Sequence, residues 1–149
     1  MRPQSTLTAW VVLGSLVLCS LTACSQQDPN RKPTSPVTGT VYVDGQPAAG
    51  VQIMLTDTSG MDTAKPTVSS TVTKEGGTFS VSTYDEADGV PPGEYVLTFA
   101  WGEYNVFSRS YEADKLKKRY IDPKKSEVRL TVVEGQPVDM GRIELKIPK

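Results

Sequence analysis

From Val37 onward, apolar and polar residues alternate with a period of two. That repeat sets every second side chain on one face of a β-strand. Val37, Gly39, Val41 and Val43 share one face, with Thr38, Thr40 and Tyr42 opposite. Asp44-Gly45 then predicts a tight turn, because glycine accepts the positive φ that short hairpins need. Val51, Ile53 and Leu55 line one side of a second strand, and residues 66–73 form a weaker third carrying Val68 and Val72. Glu75-Gly76-Gly77 reads as a hairpin turn into Phe79 and Val81. Pro91-Pro92-Gly93 introduces the strongest strand, with Tyr95, Leu97, Phe99 and Trp101 on one side and Val96, Thr98 and Ala100 on the other. Residues 126–133 present Val128, Leu130 and Val132, and a last strand carries Ile143, Leu145 and Ile147. Val138 and Met140 sit on the opposite parity, which predicts a bulge near Gly141. Seven strands separated by turn chemistry predict an all-β domain over residues 37–149, a two-layer antiparallel sandwich. Residues 112–120 have room for two turns of helix before Asp122-Pro123 stops them. Val43-Asp44-Gly45-Gln46-Pro47 reappears as Val133-Glu134-Gly135-Gln136-Pro137, which reads as one hairpin chemistry used twice.

The pattern ahead of Val37 is different. Leu7 to Leu21 is an apolar run behind a single charge, Arg2. It is short for a spanning helix, which needs about 20 apolar residues, and suits a secretory signal. The run ends in Leu21-Thr22-Ala23-Cys24, which resembles the bacterial lipobox. The resemblance implies a diacylglyceryl group on the Cys24 thiol and cleavage between Ala23 and Cys24, so that residues 1–23 are a signal peptide. Cys19 fails the same comparison because Leu18 is bulky. Acyl chains bury CH₂ groups at about 0.8 kcal/mol each, so two or three chains anchor durably. The implied location is the cell envelope, on a membrane and facing the periplasm or exterior. In the sorting rule of some two-membrane bacteria an aspartate after the cysteine retains the protein at the inner membrane; Ser25 stands there instead and points to the outer one. Residues 24–36 contain Pro29, Pro33 and Pro36 among polar groups and read as a lipidated, proline-rich linker. Fully extended, Ser25 to Pro36 would reach at most about 37 Å, at about 3.1 Å per residue.

Composition narrows the function. The 149 residues include 16 basic and 17 acidic side chains, two cysteines and no histidine. No Ser-His-Asp triad, histidine metal site or histidine proton relay can come from this chain alone. Two cysteines make no disulfide framework and no four-cysteine zinc site. A charge near zero argues against nucleic acid as a partner. Among known catalytic motifs no phosphate loop, His-Glu metal motif or activated nucleophile is present, so the chain reads as a non-enzyme without a cofactor.

Three motifs in order carry a family resemblance. They are Val41-Tyr42-Val43-Asp44-Gly45-Gln46-Pro47 followed by Gly50-Val51-Gln52-Ile53, then Gly77-Thr78-Phe79, then Pro91-Pro92-Gly93-Glu94-Tyr95. Together they resemble the carboxypeptidase regulatory-like, or transthyretin-like, β-sandwich, and the resemblance extends through Tyr120-Ile121-Asp122-Pro123 to the C-terminal strands. It implies an accessory or binding module and supplies no catalytic residues. The segment 102–119 is longer than the family's plain hairpin connection.

That long segment holds the candidate binding surface, Tyr104, Phe107 and Tyr111. Aromatic rings stack on sugars and are favoured at protein interfaces, but they also commonly pack a long loop onto its sandwich. Asp85, Glu86 and Asp88 lack the alternating oxygen ligands of a calcium loop and read as a solvated acidic turn. Lys115, Lys117, Lys118, Arg119, Lys124 and Lys125 form a basic run, partly balanced by Asp114, Asp122 and Glu127. The functional expectation is a lipid-anchored envelope module whose partners are the membrane, through Cys24, and an envelope protein or polysaccharide. Alternatives are a carbohydrate-binding module using the loop aromatics, and a self-associating assembly protein.

Overall fold

The alternation at residues 37–43 becomes strand β1 (Val37–Val43), with Val37, Val41 and Val43 buried and Thr38 exposed. The computed structural model describes residues 28–149, apart from the side chains of Tyr104, Ser110 and Tyr111. Asp44 (φ 49°) and Gly45 (φ 79°) both take the left-handed conformation of a tight hairpin turn, returning the chain into β2 (Gln46–Pro47). The same edge of β1 also pairs with β5 (Thr78–Ser80), and its other edge pairs with β10 (Val138–Leu145). These four strands are one layer. The second layer has the order β4-β3-β6-β9, formed by β4 (Ser69–Val72), β3 (Gln52–Asp57), β6 (Gly93–Ala100) and β9 (Arg129–Val132), all antiparallel. A separate two-stranded hairpin, β7 (Glu103–Asn105) and β8 (Ser110–Glu112), follows β6.

Ile53, Leu55, Leu97, Phe99, Leu130 and Val132 from the second layer meet Val41, Val43, Phe79, Val81, Ile143 and Leu145 from the first in one apolar cluster. Gly39 interrupts the apolar face of β1 for a steric reason. A Cβ there would lie 2.7 Å from the Phe79 ring, which fills the space.

All seven expected strands are present, and the fold is the expected all-β two-sheet sandwich. Its connections differ from expectation in three places. First, β1 and β10 run parallel. The turn at Val133–Pro137 is not a hairpin; it carries the chain from β9 in one layer to β10 in the other, with Gln136 N–H donating to the Val133 carbonyl at 3.1 Å. The repeated Val-Asp/Glu-Gly-Gln-Pro segments therefore share sequence but not role. Second, Glu75–Gly77 is a corner between layers, built as one 3₁₀ turn with Gly76 and Gly77 at positive φ. As expected, Val138 and Met140 belong to the same strand as Ile143 and Leu145. The parity switch is absorbed by the predicted bulge: Thr38 pairs with Asp139 but Thr40 pairs with Arg142, and Gly141 has φ 61°. Third, no helix forms over residues 112–120. Ala113, Lys117 and Lys118 have φ of 52°, 51° and 61°, which an α-helix cannot contain.

The linker reading is corrected from Asp28 onward, because Asp28 to Pro36 is a strap fixed to the sandwich. Ser35 is 1% exposed; its hydroxyl donates to the Val133 carbonyl and accepts from Gly135 N–H, both at 3.0 Å. Its backbone exchanges two 2.9 Å hydrogen bonds with Val90, and Val138 N–H donates to Pro36 at 2.8 Å. Arg31 covers the Tyr84 ring and pairs with Asp85, while Lys32 pairs with Asp62 at 2.8 Å. The Lys32 ammonium, with the Lys65 and Ala64 N–H groups, holds the Asp62 carboxyl down at about 2. Polar contacts hold this strap, so its lack of apolar residues did not leave it free.

The strap fixes a polarity. It meets the sandwich where β6 begins, beside Val90. The β7–β8 hairpin leaves where β6 ends, eight residues and about 23 Å away at about 3.3 Å per residue.

Candidate binding surface

The hairpin departs through Gly102, where a Cβ would lie 2.5 Å from the Glu112 carbonyl and 3.0 Å from Asp114 N. Glycine thus allows the two hairpin legs to close at their base. Glu103 pairs with Glu112, Tyr104 with Tyr111, and Asn105 with Ser110. Asn105 organises the tip. Its Oδ1 accepts from Phe107 N–H at 2.8 Å and Ser108 N–H at 3.2 Å, and its Nδ2 donates to Glu112 Oε1 at 2.6 Å. With the backbone tied down this way, the Val106 and Phe107 side chains point outward. Phe107 is 95% exposed and Val106 is 68% exposed.

Of the three predicted aromatics, Phe107 is thus at a solvent-exposed tip, and Tyr104 and Tyr111 are register partners behind it whose side chains lie outside the described atoms. Phe107 does not pack the loop onto the sandwich. Leu116 does so instead, at 0% exposure within the core cluster. Sequence reasoning passed over it, although it is the one large apolar side chain between Tyr111 and Tyr120. Trp101 keeps its expected face and packs against the edge of the core cluster. It is half-buried just past β6, its indole N–H donates to the Ala49 carbonyl at 3.0 Å, and the Lys115 ammonium sits 4.2 Å from its ring. Trp101, Gly50, Glu103, Glu112 and Lys115 line an open concavity of about 450 Å³ at the hairpin base.

The basic run is organised by Asp114. One carboxylate oxygen accepts from Trp101 N–H at 2.9 Å and Leu116 N–H at 3.0 Å, and the other from Lys118 N–H at 2.8 Å. This cradle holds Lys117 and Lys118 in successive left-handed conformations, each costing of order 1–3 kcal/mol. Asp122 likewise accepts from Lys124 N–H at 2.9 Å and reaches the Lys125 ammonium only at 3.8 Å. Asp114 and Asp122 thus hold the turns through backbone N–H groups while keeping their negative charge beside the run. Among the described residues Lys117, Lys118, Arg119 and Lys124 enter no ion pair. Arg119 lies over Tyr120, whose ring meets Phe99 edge-on and whose hydroxyl accepts from Lys146 N–H at 3.0 Å.

The acidic turn is committed elsewhere. Asp88 accepts from Thr83 N–H at 2.7 Å and Tyr84 N–H at 3.1 Å, Asp85 pairs with Arg31, and Glu86 lies 3.6 Å from Lys74. Among the described residues no cluster of three metal-ligating side chains occurs, and no helix is long and apolar enough to cross a membrane. Cys24 and the Ala23–Cys24 cleavage position lie outside the described residues.

The class is thus an all-β sandwich of two sheets with a strap at one end and an exposed hairpin at the other. No family model matches the chain, and no curated protein matches it. Solved structures that match include BcpA, the major pilin subunit of Bacillus cereus, at 16% identity and TM-score 0.45, covering 77% of this chain and 30% of that one. Another is a 9R-lipoxygenase from Cyanothece at 14% identity and TM-score 0.38, covering 79% of this chain and 17% of that one. The chain spans less than a third of either protein's length.

Proposed function

We propose that the protein is a non-catalytic module of the cell envelope, anchored by lipid on Cys24, whose sandwich serves as a binding or structural unit. The observation that carries this reading is the Leu21-Thr22-Ala23-Cys24 motif after a signal-like apolar run, four residues ahead of a strap that leads into one end of a sandwich. The resemblance to carboxypeptidase regulatory-like sandwiches supports the same reading. Detergent phase separation of cells expressing the protein and Cys24→Ala tests it. The native chain should enter the detergent phase and the variant the aqueous phase. Unchanged membrane retention of Cys24→Ala overturns the anchor.

A second reading, carbohydrate binding through the hairpin, is favoured by the exposure of Phe107 near the Trp101 concavity. Glycan-array binding that is lost in Phe107→Ala and weakened in Tyr104→Ala and Tyr111→Ala is the expected result. Absence of any glycan signal from the native protein discards it.

A further inference from the structure

The outer face of the second layer carries an apolar groove. Met54 on β3 stands opposite Thr98 on β6, on the face away from the core residues Ile53, Leu97 and Phe99. Val72 lies beyond Met54 on β4, and the bond from Phe99 N–H to the Tyr120 carbonyl, 2.9 Å, sets Ile121 along the other side of β6. Half-exposed Met54, Val72 and Ile121 are the walls of an open groove of about 240 Å³, and small, buried Thr98 and Ala100 are its floor. Thr98 already donates its hydroxyl to the Met54 carbonyl at 3.3 Å, so an apolar group seated there meets a satisfied side chain. An apolar cavity of about 150 Å³ holds a benzene molecule, so this groove has room for a phenyl ring.

The same chain carries a phenyl ring without a seat. Phe107 is held out at the hairpin tip by the Asn105 bonds, and at 95% exposure it fills no groove of its own chain. The charges match as well. Glu103 and Glu112 stand opposite each other across the hairpin, a like-charge pair that is destabilising until cations approach it. Residues 102–113 carry two acidic side chains and one basic one. Residues 114–125, which bring Ile121 to the groove, carry six basic side chains and two acidic ones, Asp114 and Asp122.

We infer that the groove is a docking site for a second copy of this chain, which seats its Phe107 between Met54 and Ile121 and brings Glu103 and Glu112 towards the basic run. A second copy supplies the ring and the countercharge on one rigid hairpin. Groove and hairpin both lie at the end of β6, where Ala100 lines the one and Gly102 opens the other. A single two-fold axis therefore seats both rings reciprocally. One ring in each groove is a small contact, at the weak end of protein interfaces, so it forms at high local concentration and not in dilute solution. This pairing adds a partner to the structural role proposed above and does not rest on the anchor.

The experiment incorporates a diazirine-bearing phenylalanine in place of Phe107, in cells that also make an epitope-tagged native chain. Illumination should join the probe to the tagged chain. Mass spectrometry should place the new bond at Met54, Val72, Ala100 or Ile121, and products should stop at two chains. Ala100→Leu fills the floor, and Ile121→Lys puts an ammonium into an apolar wall; each, placed in both chains, should cut the product about tenfold. Val68→Lys, at an exposed position outside the groove, should leave it unchanged. Thermal melting of the purified variants confirms that they fold. No joined product, bonds outside the groove, a ladder of larger products, capture of lipid, glycan or another protein instead, or an equal loss in Val68→Lys overturns the inference. Such a failure leaves the anchor standing, since phase separation of Cys24→Ala tests that alone.

Discussion

Replacing Leu116 by alanine removes the side chain that ties the long connection to the core. Leu116 is fully buried in a segment otherwise made of charged residues and one alanine. A buried leucine truncated to alanine costs about 2–5 kcal/mol, the higher figure applying where surroundings cannot collapse into the space. Here one wall of the cavity is the sandwich and cannot move, whereas the other is a turn with its own hydrogen bonds to Asp114. Partial collapse places the expected loss near 3 kcal/mol. For a domain of this size about 1 kcal/mol shifts Tm by roughly 4 °C, so melting should fall by about 12 °C. Urea denaturation should show the same loss with an unchanged slope. Phe107→Ala is the matched control. It deletes a larger side chain that is almost wholly in water, and should change stability by less than about 0.5 kcal/mol. The reasoning is refuted if Leu116→Ala melts within about 2 °C of the native protein, or if Phe107→Ala is the more damaging change.

Three further outcomes follow from single interactions. Tyr95 donates to the Pro91 carbonyl at 2.9 Å, and burial, with the charge of Asp57, pushes its hydroxyl up to about 12 from 10; its contribution is full below pH 10 and fades between pH 10 and 12, so alkaline loss of stability should be smaller in Tyr95→Phe, which in turn loses about 1–2 kcal/mol at neutral pH by orphaning the carbonyl. The Asp62 carboxyl, held at about 2 by Lys32, keeps that clamp on the strap above pH 4 and releases it as pH falls from about 3.8 towards 2; NMR should show the Lys32 ammonium separating from Asp62 in that window, and Asp62→Asn should hold the two side chains apart at every pH. Gly89 has φ 97° and its missing Cβ would collide with the Ser35 carbonyl, so Gly89→Ala should loosen the strap, read as faster amide exchange at Ser35 and Val90, and native-like protection there would contradict the reading.

Local chemistry was legible in the sequence, and pairing was not. The Val37–Val43 alternation, the Asp44-Gly45 turn and the bulge at Gly141 each depend on residues within a few positions, where side-chain parity or a positive φ leaves a direct mark. The parallel β1–β10 pairing joins residues about 100 positions apart, and nothing in either strand names its partner. The strap escaped notice because it is held by hydrogen bonds and ion pairs; Ser35 is buried through its hydroxyl, and a polar residue gives no periodic signal. At the candidate surface, the run of lysines was plain, but the turns that hold it were not. Asp114 and Asp122 look only like counter-charges in sequence, and geometry reveals that their oxygens also accept from backbone N–H groups.

The strap changes what anchoring through Cys24 would mean. A free 12-residue spacer would let the sandwich tumble up to about 37 Å from the headgroups. With the strap fixed from Asp28, at most about 14 Å of chain separates Cys24 from the folded body, at no more than about 3.6 Å per residue. The acidic end is then held within about two Debye lengths of the membrane, each about 8 Å at physiological ionic strength. Where the headgroups are anionic, like charges would disfavour laying this end flat, while the basic run from Lys115 to Lys125 would favour it. Which of the two wins depends on distance. The strap end would be tethered close, whereas Tyr120 bonds beside Phe99, six residues along β6 and about 20 Å further out at about 3.3 Å per residue, more than two Debye lengths. For a chain anchored in this way, short-range repulsion would prevail over long-range attraction, and the sandwich would stand with Phe107 at the tip of the β7–β8 hairpin presented outward.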